Sequence, residues 1–169
     1  MSPANYRKDI VDELLPYAQA DPRIYLLVCD MGFGVVDNYR KALPGRIFNV
    51  GVMEQGVVGI AAGMAMSGLR PIVYSIVNFL AYRALEPVRN DVVLQGLDVK
   101  FIGTGANDYF KFLGHSHCCG SDDEHLMKLI GMPVERASPC IIWTYVWRSA
   151  AAPSWSERWC ASANDFCSI

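Results

Sequence analysis

"NVGVMEQGVVGIAAGMAMSG", Asn49 to Gly68, decides how the rest of the chain is read. From Glu54 to Ser67 the stretch is too long for a strand and rich in Ala and Met, so it reads as a helix. Gly68 and Pro71 punctuate its end. Short, continuous, β-rich apolar runs flank it: "RIFNV" (46–50) before and "PIVYSIV" (71–77) after. Runs of that kind are strands buried on both faces. Two such strands joined by a helix form a parallel crossover unit.

The pattern repeats outward. Ile10 to Ala18 has apolar residues at helical spacing, and Asp21-Pro22 stops it. "RIYLLVCD" (23–30) is a strand, "MGFG" (31–34) a turn, and Val35 to Leu43 a short helix. Phe79 to Gln95 reads as one long helix with a kink at Pro87. "DVKFIG" (98–103) is a fourth strand, and residues 104–121 form a glycine-bearing loop. Asp122 to Ile130 is a helix with Asp122 and Asp123 near its positive end, and "MPVERAS" (132–138) is a fifth short strand. The expected fold is α/β, with a mostly parallel central sheet and helices on both faces.

The chain has 169 residues, the size of one domain. Hydrophobic residues make up 52% and charged residues 19%, against roughly 25% charged in an average globular chain. Such a surplus of apolar surface points to a large interface with another chain. The net charge of −2, without a basic run, argues against nucleic acid. The opening residues lack the apolar core of a secretory signal. The longest apolar stretch, Val57 to Leu69, falls short of the ~20 residues a membrane helix needs. A cytoplasmic protein with no membrane contact is expected. The six cysteines show no framework spacing, so reduced thiols are expected. Beyond Pro139 neither helical nor strand period persists, and all four tryptophans fall there. Residues 1–139 are therefore read as the domain. Residues 140–169 are read as an atypical tail, non-native or disordered, with a terminal subdomain as the alternative.

Glu54 is a lone acid at the mouth of a small, apolar helix. A carboxylate there has an ordinary explanation, because acids favour the helix N-terminus by ~0.3–1 kcal/mol. Its company raises a second one: Gly51 precedes it, and Gly56, Gly59, Ala61, Ala62, Gly63 and Ala65 follow. Small residues let another backbone, helix or flat ligand approach closely. Phe79 and Tyr82, three apart, share a helix face and are either core or the walls of a ring pocket. His115 and His117 sit in the long loop, where an imidazole has a suitable ordinary pKa for proton transfer. "HSHCC" (115–119) offers zinc-ligand types but lacks paired spacing, so no metal site is assigned. "MGFG" is weak as a phosphate loop.

"GRIFNVGVMEQGVVGIAAGMAMSGLRPIVYSIVNFLAYRALEPVRNDV" (45–92) resembles the pyrimidine-binding domain of transketolases and their relatives, among them deoxyxylulose-phosphate synthases and 2-oxoacid dehydrogenase beta subunits. Arg46, Gly51, Val52, Glu54, Gln55, Ala61, Gly63, Gly68, Pro71, Phe79, Tyr82, Arg83 and Arg89 stand where that family's pattern has them, and "GHSHCCGSDDEHLMKLIGMPV" (114–134) continues it. The resemblance covers residues 5–139 and implies thiamin diphosphate as cofactor. It implies that Glu54 hydrogen-bonds N1′ of the aminopyrimidine, and that Phe79 and Tyr82 line the ring pocket. Ile76 falls where transketolases often have an aromatic wall, and Asp30 opens a loop that approaches the cofactor across a subunit interface. His117, with His115 beside it, implies a substrate-side histidine, and Arg83 is a candidate substrate contact or a structural ion pair. Asp123 is expected as a helix cap rather than a catalyst.

The family's G-D-G diphosphate signature does not occur in this sequence. The resemblance therefore implies a diphosphate-binding domain or subunit as partner, holding Mg²⁺, in a homo- or hetero-oligomer. Ketol transfer between sugar phosphates is the expected reaction. 2-Oxoacid decarboxylation, deoxyxylulose-type condensation and an inactive binding or oligomerisation module are the alternatives.

Overall fold

The computed structural model describes residues 6–106, 108–136 and 144–148. The element order is α1 (Tyr6–Ala20), β1 (Ile24–Val28), α2 (Asp37–Ala42), β2 (Ile47–Asn49), α3 (Glu54–Met66) and β3 (Arg70–Ile76). A helical segment, residues 79–93, follows, and then β4 (Lys100–Thr104). The described part ends with α5 (Asp122–Leu129), β5 (Val134–Arg136) and β6 (Thr144–Arg148). The sheet order is β2-β1-β3-β4-β6-β5. The first four strands are mutually parallel, while β6 runs antiparallel to both β4 and β5.

This order fixes where a ligand belongs. From β1 the chain steps to one side to make β2, then returns past β1 to make β3 on the other side. The carboxyl ends of β1 and β3 therefore flank a crevice at the point where the winding reverses, the usual ligand position in open α/β sheets.

Alternation along the strands divides the core into two layers. Leu26, Val28, Ile72, Tyr74 and Ile102 pack toward α1 and α2, against Val11, Leu14, Val36 and Tyr39. Leu27, Cys29, Val73, Val77 and Phe101 pack toward α3, against Val57, Val58, Ala61 and Ala62. The opposite face of α3 is bare: Gly59, Ile60, Gly63 and Met66 are exposed, and nothing among the described residues stands within 4 Å of a Cβ built on Gly59 or Gly63. Asp21 closes the turn after α1, accepting from the Arg23 backbone and guanidinium and from Arg70 Nη1. These cations hold its carboxyl down at about 2.

Two expectations change. The long helix from Phe79 to Gln95 is instead a π-helical turn (Phe79–Arg83), one α turn labelled α4 (Leu85–Pro87), and a second π-helical stretch (Val88–Val93). Pro87, which has no N–H to give, sits in the α turn between the two widened stretches; Val88 N–H bonds the Ala84 carbonyl four residues back, whereas Leu94 N–H reaches the Arg89 carbonyl, five residues back. β6 also lies within the segment in which no regular element was expected. Pairing on both sides, to β4 and to β5, makes it a strand. The remainder of 140–169 lies outside the described residues.

Candidate active site

Glu54 begins α3 immediately after an extended turn in which Gly51 has φ +80°, a conformation that favours glycine. Asn49 braces that turn. Its Oδ1 accepts from both the Asp30 and Gly51 backbone N–H groups, and its Nδ2 donates to Asp30 Oδ1 at 3.2 Å. Asp30, itself at φ 48°, is thus spent on shaping the crevice floor at the end of β1.

The Glu54 side chain is 1% exposed. Ser75 Oγ, in β3, donates to Glu54 Oε1 at 2.8 Å, and Arg83 Nη1 donates to Glu54 Oε2 at 2.5 Å. Ser75 follows Val73 on the α3 side of the sheet, so alternation brings its hydroxyl to the helix start. Arg83 arrives from the π-helical turn, and its guanidinium carbon lies 4.5 Å from the Phe79 ring centroid. The His117 and Phe79 rings also meet, inclined at 64° with centroids 5.1 Å apart. Burial and the charge of Glu54 push the Cys29 thiol up to about 12, which keeps it protonated and inert as a nucleophile.

A second layer sets the loop. Asn78 Nδ2 donates to the Ser116 carbonyl at 2.5 Å, and Ser116 Oγ lies 3.1 Å from His117 Nδ1. Together Asn78, Phe79, Tyr82, Arg83, His115 and Ser116 line one open groove. The Tyr82 hydroxyl donates to Asp122, and that bond pushes its phenol up to about 12.

The structure thus gathers Glu54, Phe79, Arg83 and His117 into one connected cluster, with Tyr82 and His115 on the groove wall. Asp30 and Ile76 stand at the ends of β1 and β3, bordering the crevice; alternation assigns Ile76 to the opposite sheet face from Ser75. Asp123 is not a cap: the residue before α5 is Ser121, and Asp123 is fully buried in the first turn. Arg46 has a structural role, donating to the Ala18 carbonyl in the last turn of α1 and to the Asp21 carbonyl just past its end. Among the described residues no three His, Cys, Asp or Glu side chains are placed to hold a metal ion, and no helix is long and apolar enough to cross a membrane. Ser75, Asn78 and Ser116 were not singled out in the sequence. A signal was available for Ser75, a hydroxyl inside the otherwise apolar "PIVYSIV".

Fold and cluster define a class: a parallel α/β domain with a buried acid, an arginine and an aromatic ring clustered at its switch point. The family model "Transketolase, pyrimidine binding domain" matches residues 2–155, and the chain belongs to that family. It is 35% identical over 129 residues to the 6-deoxy-6-sulfo-D-fructose transketolase subunit SqwH of Clostridium sp. (strain MSTE9), covering 76% of this chain and 40% of that protein. It is 39% identical over 100 residues to the 1-deoxy-D-xylulose-5-phosphate synthase of Cyanothece sp., covering 59% of this chain and 16% of that one. A solved structure titled "Split gene transketolase, inactive beta4 tetramer" superposes with a TM-score of 0.63 at 31% identity, over 73% of this chain and 39% of that one. The chain thus spans well under half the length of these relatives.

Proposed function

We propose that this chain is the pyrimidine-binding half of a thiamin diphosphate-dependent, transketolase-type transferase that moves a ketol unit between sugar phosphates. The observation that carries the reading is the buried Glu54 at the switch point, joined through Arg83 to the Phe79 ring. The side chains suit an aminopyrimidine. They offer a carboxylate for a ring nitrogen and an aromatic face for the ring. They also offer a buried amide oxygen, Asn78 Oδ1, with no hydrogen-bond partner among the described residues.

When bound, thiamin diphosphate supplies the stabilised carbanion needed to cleave and form carbon–carbon bonds beside a carbonyl. Glu54 holds the ring nitrogen and shares a proton with it. Ser75 fixes the Glu54 carboxylate from the strand side. Phe79 and Tyr82 orient the ring, with Ile76 and Asp30 bordering the crevice. His117 holds or moves a proton on the substrate side, with His115 and Arg83 near the substrate. A diphosphate-binding domain or subunit supplies the Mg²⁺ and diphosphate contacts; two relatives, a transketolase "subunit" and a "split gene" transketolase, support a partner polypeptide. The deoxyxylulose-phosphate synthase relative favours a second reading, condensation of a 2-oxoacid with an aldehyde phosphate.

The test is thiamin diphosphate-dependent quenching of intrinsic fluorescence, with and without a candidate diphosphate-domain partner, followed by assay with ketose phosphate or pyruvate donors. Quenching and turnover that require both chains support the proposal, and the donor used selects between the readings. No cofactor response in the mixed complex overturns both.

A further inference from the structure

We infer that Arg83 is a resident counter-ion that occupies the ring seat and has to be expelled when a ligand enters. The inference rests on the reading of Glu54 and Phe79 as the seat of an aminopyrimidine ring. Both oxygens of the Glu54 carboxylate are engaged, Oε1 by Ser75 and Oε2 by Arg83. The two partners are unlike. Ser75 is fully buried in β3, with parallel strands on either side. Arg83 stands at the rim with 43% of its side chain exposed, on a π-helical turn rather than a regular helix. Oε1 is therefore the anchored oxygen and Oε2 the one a ligand takes.

The same guanidinium lies over the Phe79 ring. One side chain thus covers both the carboxylate oxygen and the aromatic face that a flat heterocycle needs. A ring cannot stack on that covered face while Arg83 stays. The physical cause of the closed arrangement is plain. A buried carboxylate is costly without a partner, and a guanidinium is planar, weakly hydrated and prone to stack on aromatic rings. The consequence is also plain. A ligand that needs Arg83 withdrawn binds with its intrinsic affinity reduced by the fraction of molecules in that state.

The experiment is isothermal titration of the full chain with 4-amino-5-hydroxymethyl-2-methylpyrimidine, a probe that carries the ring alone, alongside thermal melts. Wild type, Arg83→Met, Glu54→Gln and the double variant are compared. Arg83→Met keeps an apolar stem and removes the charge. Its expected result is binding about tenfold tighter, together with a lower Tm because Glu54 has lost its counter-charge. A merely structural Arg83 lowers both. Glu54→Gln is expected to weaken the probe and to abolish the gain from Arg83→Met. Equal or weaker binding by Arg83→Met, with the wild type still binding and Glu54→Gln still weakened, overturns the expulsion and leaves the seat standing. Probe binding that ignores Glu54→Gln, or no binding by any form, overturns the seat and this inference together. If Arg83→Met fails to fold, Arg83→Lys serves. It keeps the charge but loses the planar stack, so a smaller gain in affinity is expected, and no gain overturns the inference.

Discussion

On the α1/α2 side of the sheet, Leu26, Val28, Ile72 and Tyr74 meet Val11, Leu14 and Tyr39; on the α3 side, Leu27, Val73, Val77 and Phe101 meet Val57, Val58 and Ala61. Through the middle of the sheet the two layers are alike, built from the same residue types and equally closed to water. They part company at the carboxyl ends of β1 and β3. On the α3 side the apolar layer gives way there to Cys29, Ser75, Glu54 and Asn78, all buried. The other side has Tyr39, Tyr74 and, by alternation from Ile102, Lys100 as its large buried polar-tipped residues; burial pushes both phenols up to about 12, holding them neutral. The contrast teaches that position along the strand, not hydrophobicity of the layer, separates site from core. The α3 side ends at the switch-point crevice and receives a helix N-terminus.

The contrast breaks or sharpens under a graded set of changes. The largest effect is expected for Glu54→Gln in the reconstituted complex, about 10²–10⁴-fold in turnover, with the circular dichroism spectrum and melting cooperativity retained. Wild-type-like turnover would remove Glu54 from the chemistry and dissolve the distinction between the two layers. Leu26→Ala, on the plain side, is expected to cost about 2–5 kcal/mol of stability by chemical denaturation. Under conditions where the variant stays folded, its affinity for an aminopyrimidine probe is expected to match the wild type; a large loss of affinity would show that the two sides are not separable.

Ser75→Ala leaves Glu54 Oε1 without its donor, and the expected loss of stability is about 1–3 kcal/mol. That loss should shrink in a Glu54→Gln background, which a double-mutant cycle measures. Full additivity would mean that the 2.8 Å contact carries no coupling.

The smallest effect lies far from the site, at Asp21. Its carboxyl is held below the ordinary 3.8, at about 2, so the folded state binds the proton less readily than the unfolded chain. The sign follows: its stabilisation is complete above 3.8 and is lost as pH falls from there through about 2. Asp21→Asn should remove that part of the acid-side slope in Tm while leaving probe binding unchanged. An unaltered slope would mean that Arg23 and Arg70 do not stabilise the folded carboxylate.

Much of this was legible in the amino-acid order. Continuous apolar runs marked the four parallel strands, because a strand buried on both faces has no polar side to show. Glu54 was legible because an acid inside "NVGVMEQGVVGIAAG" is out of place. Phe79, Tyr82 and His117 were singled out through family resemblance, since an aromatic pair at helical spacing is ordinary core until something places it beside an acid. The π-helical turns were not legible. The 3.6-residue period describes a regular helix, and the widening around Pro87 arises from which carbonyls find donors in the folded chain. Strand β6 was missed for a related reason: its pairing partners, β4 and β5, are distant or reversed in direction, and pairing is what makes it a strand.

The sequence by itself therefore determined the layers, the parallel strands and the out-of-place acid, because local period and residue type carry that information. The tertiary structure alone decided that Ser75 and Arg83 divide the two oxygens of Glu54 between them. Those contacts join residues 21 and 29 positions apart. They exist only because the sheet order brings the end of β3 beside the start of α3, which no local pattern in the chain records.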